Sequence, residues 1–239
     1  LFEKGQGKEA LAEYAGRGFV SVEANRNQAA QKLVSDWAAR GGLKDPKNHL
    51  ILASTNEDVR LLNALCQKDR LKDSDIGTRL KSVGHSGEQF HAGDRVLFTT
   101  KNRSLGVDNG DIGTIDAIAS VTSRRLSVRV DDGRKVVVPL NQYGSLQLGY
   151  AVTTHKAQGT TVDHSYMLAG GPMTDLHLSY VQASRARHDT RFYVDRFEAG
   201  PSLERLSKAM SEARPKEMAH DLFRPAGTHR LRAALERRQ

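Results

Sequence analysis

One stretch of the chain joins a short apolar run to a cluster of polar side chains. Residues 150–163 read YAVTTHKAQGTTVD, so Tyr150, Ala151 and Val152 precede hydroxyls, an imidazole, a cation and an amide. The apolar part is typical of a buried strand, and Gly159 permits close approach of a backbone. These groups at a strand end can grip phosphates. A common strand-to-helix turn with polar caps is the other interpretation that composition leaves open.

A second stretch adds two arginines. Residues 179–195 read SYVQASRARHDTRFYVD, in which Arg185 and Arg187 follow Ser184. A guanidinium stays charged, and its planar fork binds a phosphate through two hydrogen bonds. The alternative is an arginine pair at a helix end, where positive charge complements the helix dipole.

Together the two stretches resemble motifs V and VI of superfamily one helicases, in the RecD-like branch. The matching patterns are His-Lys-Ala-Gln-Gly-x-x-x-Asp at 155–163 and Tyr-x-x-x-Ser-Arg-Ala-Arg at 180–187. Over most of its length the chain resembles the helicase part of conjugative relaxases of the TraA type. Such helicases bind ATP between two RecA-like domains. The resemblance implies an arginine finger at Arg185, with Arg187 as the secondary candidate, and an ATP contact from Gln158, Gly159 and Arg185.

The resemblance also implies where single-stranded DNA is bound. It places backbone contacts at Thr154, His155 and Lys156. The pattern Leu-Ala-x-Thr-Asn at 52–56 resembles a family segment near DNA, which adds Ser54, Thr55 and Asn56. For this segment a plain helix cap is an equal alternative. Relatives often carry a glutamate near the ribose where this chain has Thr161, so no ribose contact is implied here.

The chain has no P-loop of its own. Gly5-Gln6-Gly7-Lys8-Glu9 has one residue between the glycines, and a glutamate follows the lysine where a P-loop has Ser or Thr. We therefore expect ATP and Mg²⁺ in a full-length parent, none bound by this chain alone, and a missing N-terminal RecA-like domain as partner. The start at Leu1 also predicts a piece of a longer protein. Nine histidines without paired ligand spacing predict no metal site.

Composition narrows the partners and the compartment. The 239 residues carry a net charge of +8, and the pI of about 9.7 favours nucleic acid or anionic lipid. No apolar run approaches the roughly 18 residues of a membrane span, so we expect no membrane insertion. The single cysteine, Cys66, excludes an internal disulfide and predicts a core residue in a cytoplasmic protein.

The apolar pattern predicts an α/β fold with a RecA-like parallel sheet flanked by helices. It predicts a helix within 1–17, then a strand at 18–22. A helix capped by Asn27 follows, with a second strand at 49–54 and a helix capped by Thr55 or Asn56. Further strands are predicted at 165–169 and 191–194, and a helix capped by Asp175 lies between them.

From Lys81 the pattern changes to short strands with tight turns, among them a hairpin around Asp131-Asp132-Gly133-Arg134. This pattern predicts a small inserted β-barrel, and the insert resembles the SH3-like 2B subdomain of RecD-type helicases. The predicted domains are 1–84 (first part of 2A), 85–146 (2B), 147–197 (second part of 2A, with motifs V and VI) and 198–239 (a helical tail). The barrel is rich in cations that either touch a DNA backbone or form a solvated face: Lys101, Arg103, Arg124, Arg125, Arg129, Arg134 and Lys135.

The sequence thus predicts the C-terminal part of an ATP-dependent DNA helicase, with single-stranded DNA as partner, from a conjugative relaxase that transfers plasmid DNA. Two alternatives stay open. One is a protein-recruitment module, read as a translocation signal by a type IV secretion coupling protein. The other is part of a RecD-like repair helicase.

Overall fold

The computed structural model describes residues 6–73, 76–77, 82–83, 89–120, 124–157, 160–171, 174–175 and 185–212, with the backbone alone at 82–83 and 119–120. The helices there are α1 (Gly7–Gly16), α2 (Arg26–Trp37), α3 (Asn56–Lys72), α4 (Arg196–Ala199) and α5 (Glu204–Ser211). The strands are β1 (Val20–Glu23), β2 (His49–Ala53), β3 (Ser82–Val83), β4 (Gln89–Phe90), β5 (Arg95–Phe98), β6 (Ile112–Ser120), β7 (Arg125–Val130), β8 (Lys135–Pro139), β9 (Leu146–Leu148), β10 (Ala151–Thr153), β11 (Val162–Leu168) and β12 (Ala186–Asp195).

Five strands form the predicted parallel sheet, in the order β1-β12-β11-β2-β10. All of its neighbouring strands are parallel; for example, Val20 lies beside Phe192 and Leu168 beside Ala53. The strand-helix alternation in the sequence therefore gave the correct class of fold. The last strand is longer than the predicted 191–194, since it begins at Ala186.

The two faces of this sheet bury different side chains because strand residues alternate in direction. Tyr166 and Leu168 of β11 pack with α2 and α3 around the buried Trp37. Met167 packs on the opposite face with α1 and α5, where Leu206 and Met210 are buried. Near β2 and β10, that second face is covered by side chains of the antiparallel strands, including Leu97 and Ile112.

Local signals fix the ends of the helices. The predicted cap at Asn27 is wrong: Asn25 caps α2, because its backbone is extended and its side chain accepts a hydrogen bond from the Gln28 amide. Asn27 lies in the first helical turn instead. After α2 the chain continues through a short π-helix, Ala38–Gly42, in which Gly41 adopts the left-handed φ of 110° that favours glycine. Of the two candidate caps for α3, Thr55 is the one that caps.

The insert between α3 and β10 contains a second, antiparallel sheet in the order β8-β7-β6-β5-β9. Side chains from both ends of this sheet, such as Val138 of β8 and Leu146 of β9, share one core with Phe98 and Phe90. The sheet must therefore curl around that core, and the register shifts in β6 assist the bend. The hairpin between β7 and β8 is present, with Gly133 at a positive φ of 96°.

Some predicted features fall outside the described residues. These are the helix that Asp175 would cap, the end of the tail at 213–239, and Gln158 with Gly159. Among the described residues, no helix combines the length and apolarity needed to cross a bilayer.

Candidate functional site

The two segments predicted to bind DNA lie side by side. Ser54, Thr55 and Asn56 follow β2, and 154–156 follow β10, which pairs with β2 so that Thr153 lies beside Ala53. The Thr154 amide donates to the Ala53 carbonyl at 3.3 Å. Both segments therefore occupy the carboxyl edge of the sheet, where ligands of open α/β sheets collect.

The first segment combines a helix cap with an unsatisfied hydroxyl. Thr55 Oγ1 accepts a hydrogen bond from the Asp58 amide at 3.1 Å and donates one to Asp58 Oδ2 at 2.8 Å. Arg26 donates two hydrogen bonds to the same carboxylate, at 3.2 and 2.8 Å. The alternative role of Thr55, a helix cap, is thus present. Asn56 is exposed. Within the described chain the buried Ser54 Oγ has no hydrogen-bond partner, a cost that a polar ligand would relieve.

The second segment is a tight turn that separates buried from exposed groups. The Thr153 carbonyl accepts from the amides of Lys156 and Ala157 at 2.9 and 3.1 Å. Thr154 is buried, with 1% of its surface exposed. His155 is exposed and Lys156 partly so. The turn therefore presents an imidazole and an ammonium to solvent and holds the threonine inside.

The arginine pair lies at the opposite edge of the sheet. The Val162 amide donates to the Arg185 carbonyl at 3.0 Å, and Val162 lies beside Ala186 at the amino ends of β11 and β12. Arg185 occupies the bend before β12 and is partly buried. Arg187 lies inside β12, so the helix-dipole alternative does not apply to it, and its guanidinium pairs with Asp163 at 3.0 Å.

Three of the seven barrel cations that the sequence offered to DNA are paired with aspartates of the barrel itself. Lys101 pairs with Asp108, Arg129 with Asp116, and Arg134 with Asp111 and Asp132. Phe98 is fully buried in the barrel core. These aspartates neutralise three of the seven cations of the basic face that the sequence suggested.

Sequence reasoning missed a groove beside the site. It lies between α3 and the barrel, has a volume of about 450 Å³, and contains Asn56 and Lys156 together with Arg60, Gln89 and Gln147. The only sequence signal was the spacing of Asn56, Arg60 and Gln67 along one face of α3. The insert separates these residues from Gln147 by a long stretch of chain.

Three histidines meet at the amino edge of the sheet. The rings of His49 and His164 stack 4.8 Å apart, and His188 lies 5.4 Å from His164. Burial lowers the pKa of His49, and the neighbouring His164 lowers it further. No group of three or more His, Cys, Asp or Glu residues in the described chain is arranged to hold a metal ion.

Cys66 is a core residue as predicted, and burial raises the pKa of its thiol.

Known proteins that are similar in sequence to this chain carry names of conjugal transfer and conjugation proteins. No protein-family model matches the chain. The chain is 34% identical over 228 residues to "Conjugal transfer protein TraA" of Agrobacterium fabrum, which covers 92% of the chain and 20% of that protein. It is 28% identical over 142 residues to "Multifunctional conjugation protein TraI" of Escherichia coli, covering 56% of the chain and 8% of that protein.

Among solved structures, a complex of Pif1 helicases at forked double-stranded DNA aligns with a TM-score of 0.45 and 19% identity, over 74% of this chain and 48% of that one. The curated relatives are much longer proteins than this chain. The chain is a homologue of the TraA-type conjugal transfer proteins and corresponds to about one fifth of their length.

Proposed function

We propose that this chain is the second RecA-like part of an ATP-dependent DNA helicase that drives plasmid DNA transfer. In this proposal the 2A domain comprises 1–84 and 147–197, the 2B barrel is inserted at 85–146, and a helical tail follows at 198–239. The whole protein would act in the cytoplasm as a conjugative relaxase-helicase.

The observation that carries the proposal is the separation of two kinds of site on one sheet. His155, Lys156 and Asn56 share the carboxyl edge, whereas Arg185 lies at the amino edge. An enzyme that converts hydrolysis into movement needs its track and its nucleotide contact on one rigid body but apart. The parallel sheet meets that need.

The residues at the amino edge suit a bound triphosphate. Arg185 is partly exposed at a bend, where its fork can reach phosphate oxygens of a nucleotide held by another domain. Arg187 would first have to leave Asp163, which keeps it secondary. Bound ATP supplies the free energy of movement, and Mg²⁺ would be held by the missing N-terminal domain.

The other functions that the sequence left open have less support. A recruitment module would present its barrel cations to an acidic protein, but Lys101, Arg129 and Arg134 are paired with aspartates of the barrel itself. A repair helicase is disfavoured because the similar curated proteins carry names of conjugal transfer.

The first test measures binding of the chain to a labelled oligothymidylate at several salt concentrations. We expect binding that weakens with salt, and Lys156→Gln should reduce the slope of log K against log salt by about 0.7, the value of one lost phosphate contact on a single strand. Lys8→Gln is the matched control, because Lys8 is an exposed lysine of α1 that is not among the residues proposed to contact DNA. An unchanged slope for Lys156→Gln would show that Lys156 does not contact the DNA backbone.

A further inference from the structure

The groove between α3 and the barrel continues the carboxyl-edge site. One wall is the face of α3 that bears Asn56, Arg60 and Gln67, which recur at helical spacing. The other wall is formed by Gln89 of β4 and Gln147 of β9. Lys156 also lines the groove, so the groove borders the turn proposed to hold the DNA backbone.

The charge of the groove favours an anionic ligand. Arg60 and Lys156 line it, and none of its lining residues is acidic. In the part of the chain that the structure describes, neither cation forms an ion pair, in contrast to Lys101, Arg129 and Arg134. Unpaired cations beside an open groove attract phosphates from solution.

The rest of the lining suits a planar heterocycle. Leu148 forms an apolar floor where the cores of the sheet and the barrel meet, and Val59 and Ala64 extend it. The side-chain amides of Asn56, Gln89 and Gln147 form no hydrogen bond to another described residue, and each offers donors and an acceptor. Proteins that bind single strands hydrogen-bond the base edge and stack the base on an aromatic ring or a guanidinium plane, and in this groove Arg60 supplies the guanidinium.

Two other amides of the groove serve the fold. Asn63 bonds to both the amide and the carbonyl of Ala151 at 2.9 and 3.0 Å, and so covers the free edge of β10. Gln67 donates to the Gln89 carbonyl at 2.8 Å and to Asp94 at 2.7 Å. These bonds fix the distance between the two walls, which preorganises the groove for a ligand.

We propose that this groove is a nucleobase-binding subsite of single-stranded DNA. When the backbone lies along Asn56 and Lys156, one unstacked base enters between α3 and the barrel, and Gln147 and Gln89 hydrogen-bond its edge. The inference rests on the proposed function, since it names how the same DNA is held. It also gives the barrel a direct role on the track.

The test separates contacts to bases from contacts to phosphates. The chain is titrated with a labelled oligothymidylate and with an abasic strand of the same length and charge. Gln147→Ala should weaken binding of the base-bearing strand about fivefold, the loss expected for one hydrogen bond, and leave binding of the abasic strand unchanged. Gln142→Ala is the matched control, an exposed barrel glutamine outside the groove, and it should change neither. Because Gln147 is itself exposed, its truncation leaves the barrel core intact.

The possible failures are distinguishable. If wild-type chain binds neither strand, the proposed DNA function falls together with this inference. If wild-type chain binds both strands equally and Gln147→Ala alters the binding of neither, the proposed DNA site at the carboxyl edge is retained but the groove binds no base. If a polyglutamate peptide binds, and Gln147→Ala weakens that peptide rather than the base-bearing strand, the groove takes an acidic protein segment and the inference is overturned.

Discussion

At the scale of single residues, the cations of this chain differ in what they contact. Arg26 and Arg95 are largely buried and bind carboxylates with two nitrogens each, Arg95 at 2.7 and 2.5 Å from Asp131. Arg60 and Lys156 line a groove without an acidic residue. The net charge of +8 therefore says little by itself. Which cations face a carboxylate and which do not differs from one part of the chain to another.

His49 gives a prediction about pH. Burial and then His164 and Arg40 lower its pKa from 6.5, against the opposing effect of Asp45 and Asp189. The folded protein thus binds this proton less readily than the unfolded chain does. The neutral ring contributes stability above pH 6.5, and the contribution is lost as the pH falls below that value.

We expect the free energy of unfolding, measured with urea between pH 7.5 and 5.5, to fall more for wild type than for His49→Gln. The difference should be on the order of 1 kcal/mol or less, about the value of one pKa unit. His155→Gln, which removes an exposed histidine outside the cluster, should keep the wild-type profile. Parallel profiles for wild type and His49→Gln would show that His49 does not set this dependence.

At the scale of elements, a buried polar network ties the barrel to α3 at both chain crossings. Tyr150, just before β10, donates to Asp94 at 2.6 Å and accepts from Arg70 at 3.0 Å. Gln67 and the His91 amide also donate to Asp94, which is fully buried. Burial and the Asp94 charge raise the pKa of Tyr150, so its hydroxyl keeps the proton that it donates.

Tyr150→Phe should therefore lower the free energy of unfolding by about 1–3 kcal/mol, because it leaves a buried carboxylate short of one donor. Tyr143→Phe is the comparison, since its hydroxyl donates to the Thr100 carbonyl at 2.6 Å within the barrel alone. We expect the smaller loss for Tyr143→Phe, about 1 kcal/mol. Urea unfolding of both variants decides this, and an equal or larger loss at Tyr143 would contradict the account of the network.

The start of α2 is a boundary that the sequence alone does not predict. Asn25 and Asn27 are both suitable caps, and the sequence does not say which one the chain reaches in an extended conformation. That choice depends on β1, which pairs with β12 and ends at Glu23, two residues before the cap. A contact between opposite ends of the chain thus decides a local feature.

At the scale of the whole molecule, the alternating pattern was enough to predict a parallel sheet with an antiparallel insert. The strand order was not predictable, because β12 enters between β1 and β11 through contacts that no local pattern encodes. The same is true of the groove, where Gln147 reaches α3 only after the barrel has folded back. His155 and Lys156 were accessible to sequence reasoning because their motif is continuous.

The central claim concerns Arg185, and one measurement on a full-length parent tests it most directly. DNA-stimulated ATP hydrolysis and single-stranded DNA binding are measured side by side for wild type and Arg185→Ala. Arg17→Ala serves as control, since Arg17 is an exposed arginine paired with Glu13. The account predicts that Arg185→Ala lowers hydrolysis by about a thousandfold or more and leaves DNA binding intact. Hydrolysis at the wild-type rate would contradict it.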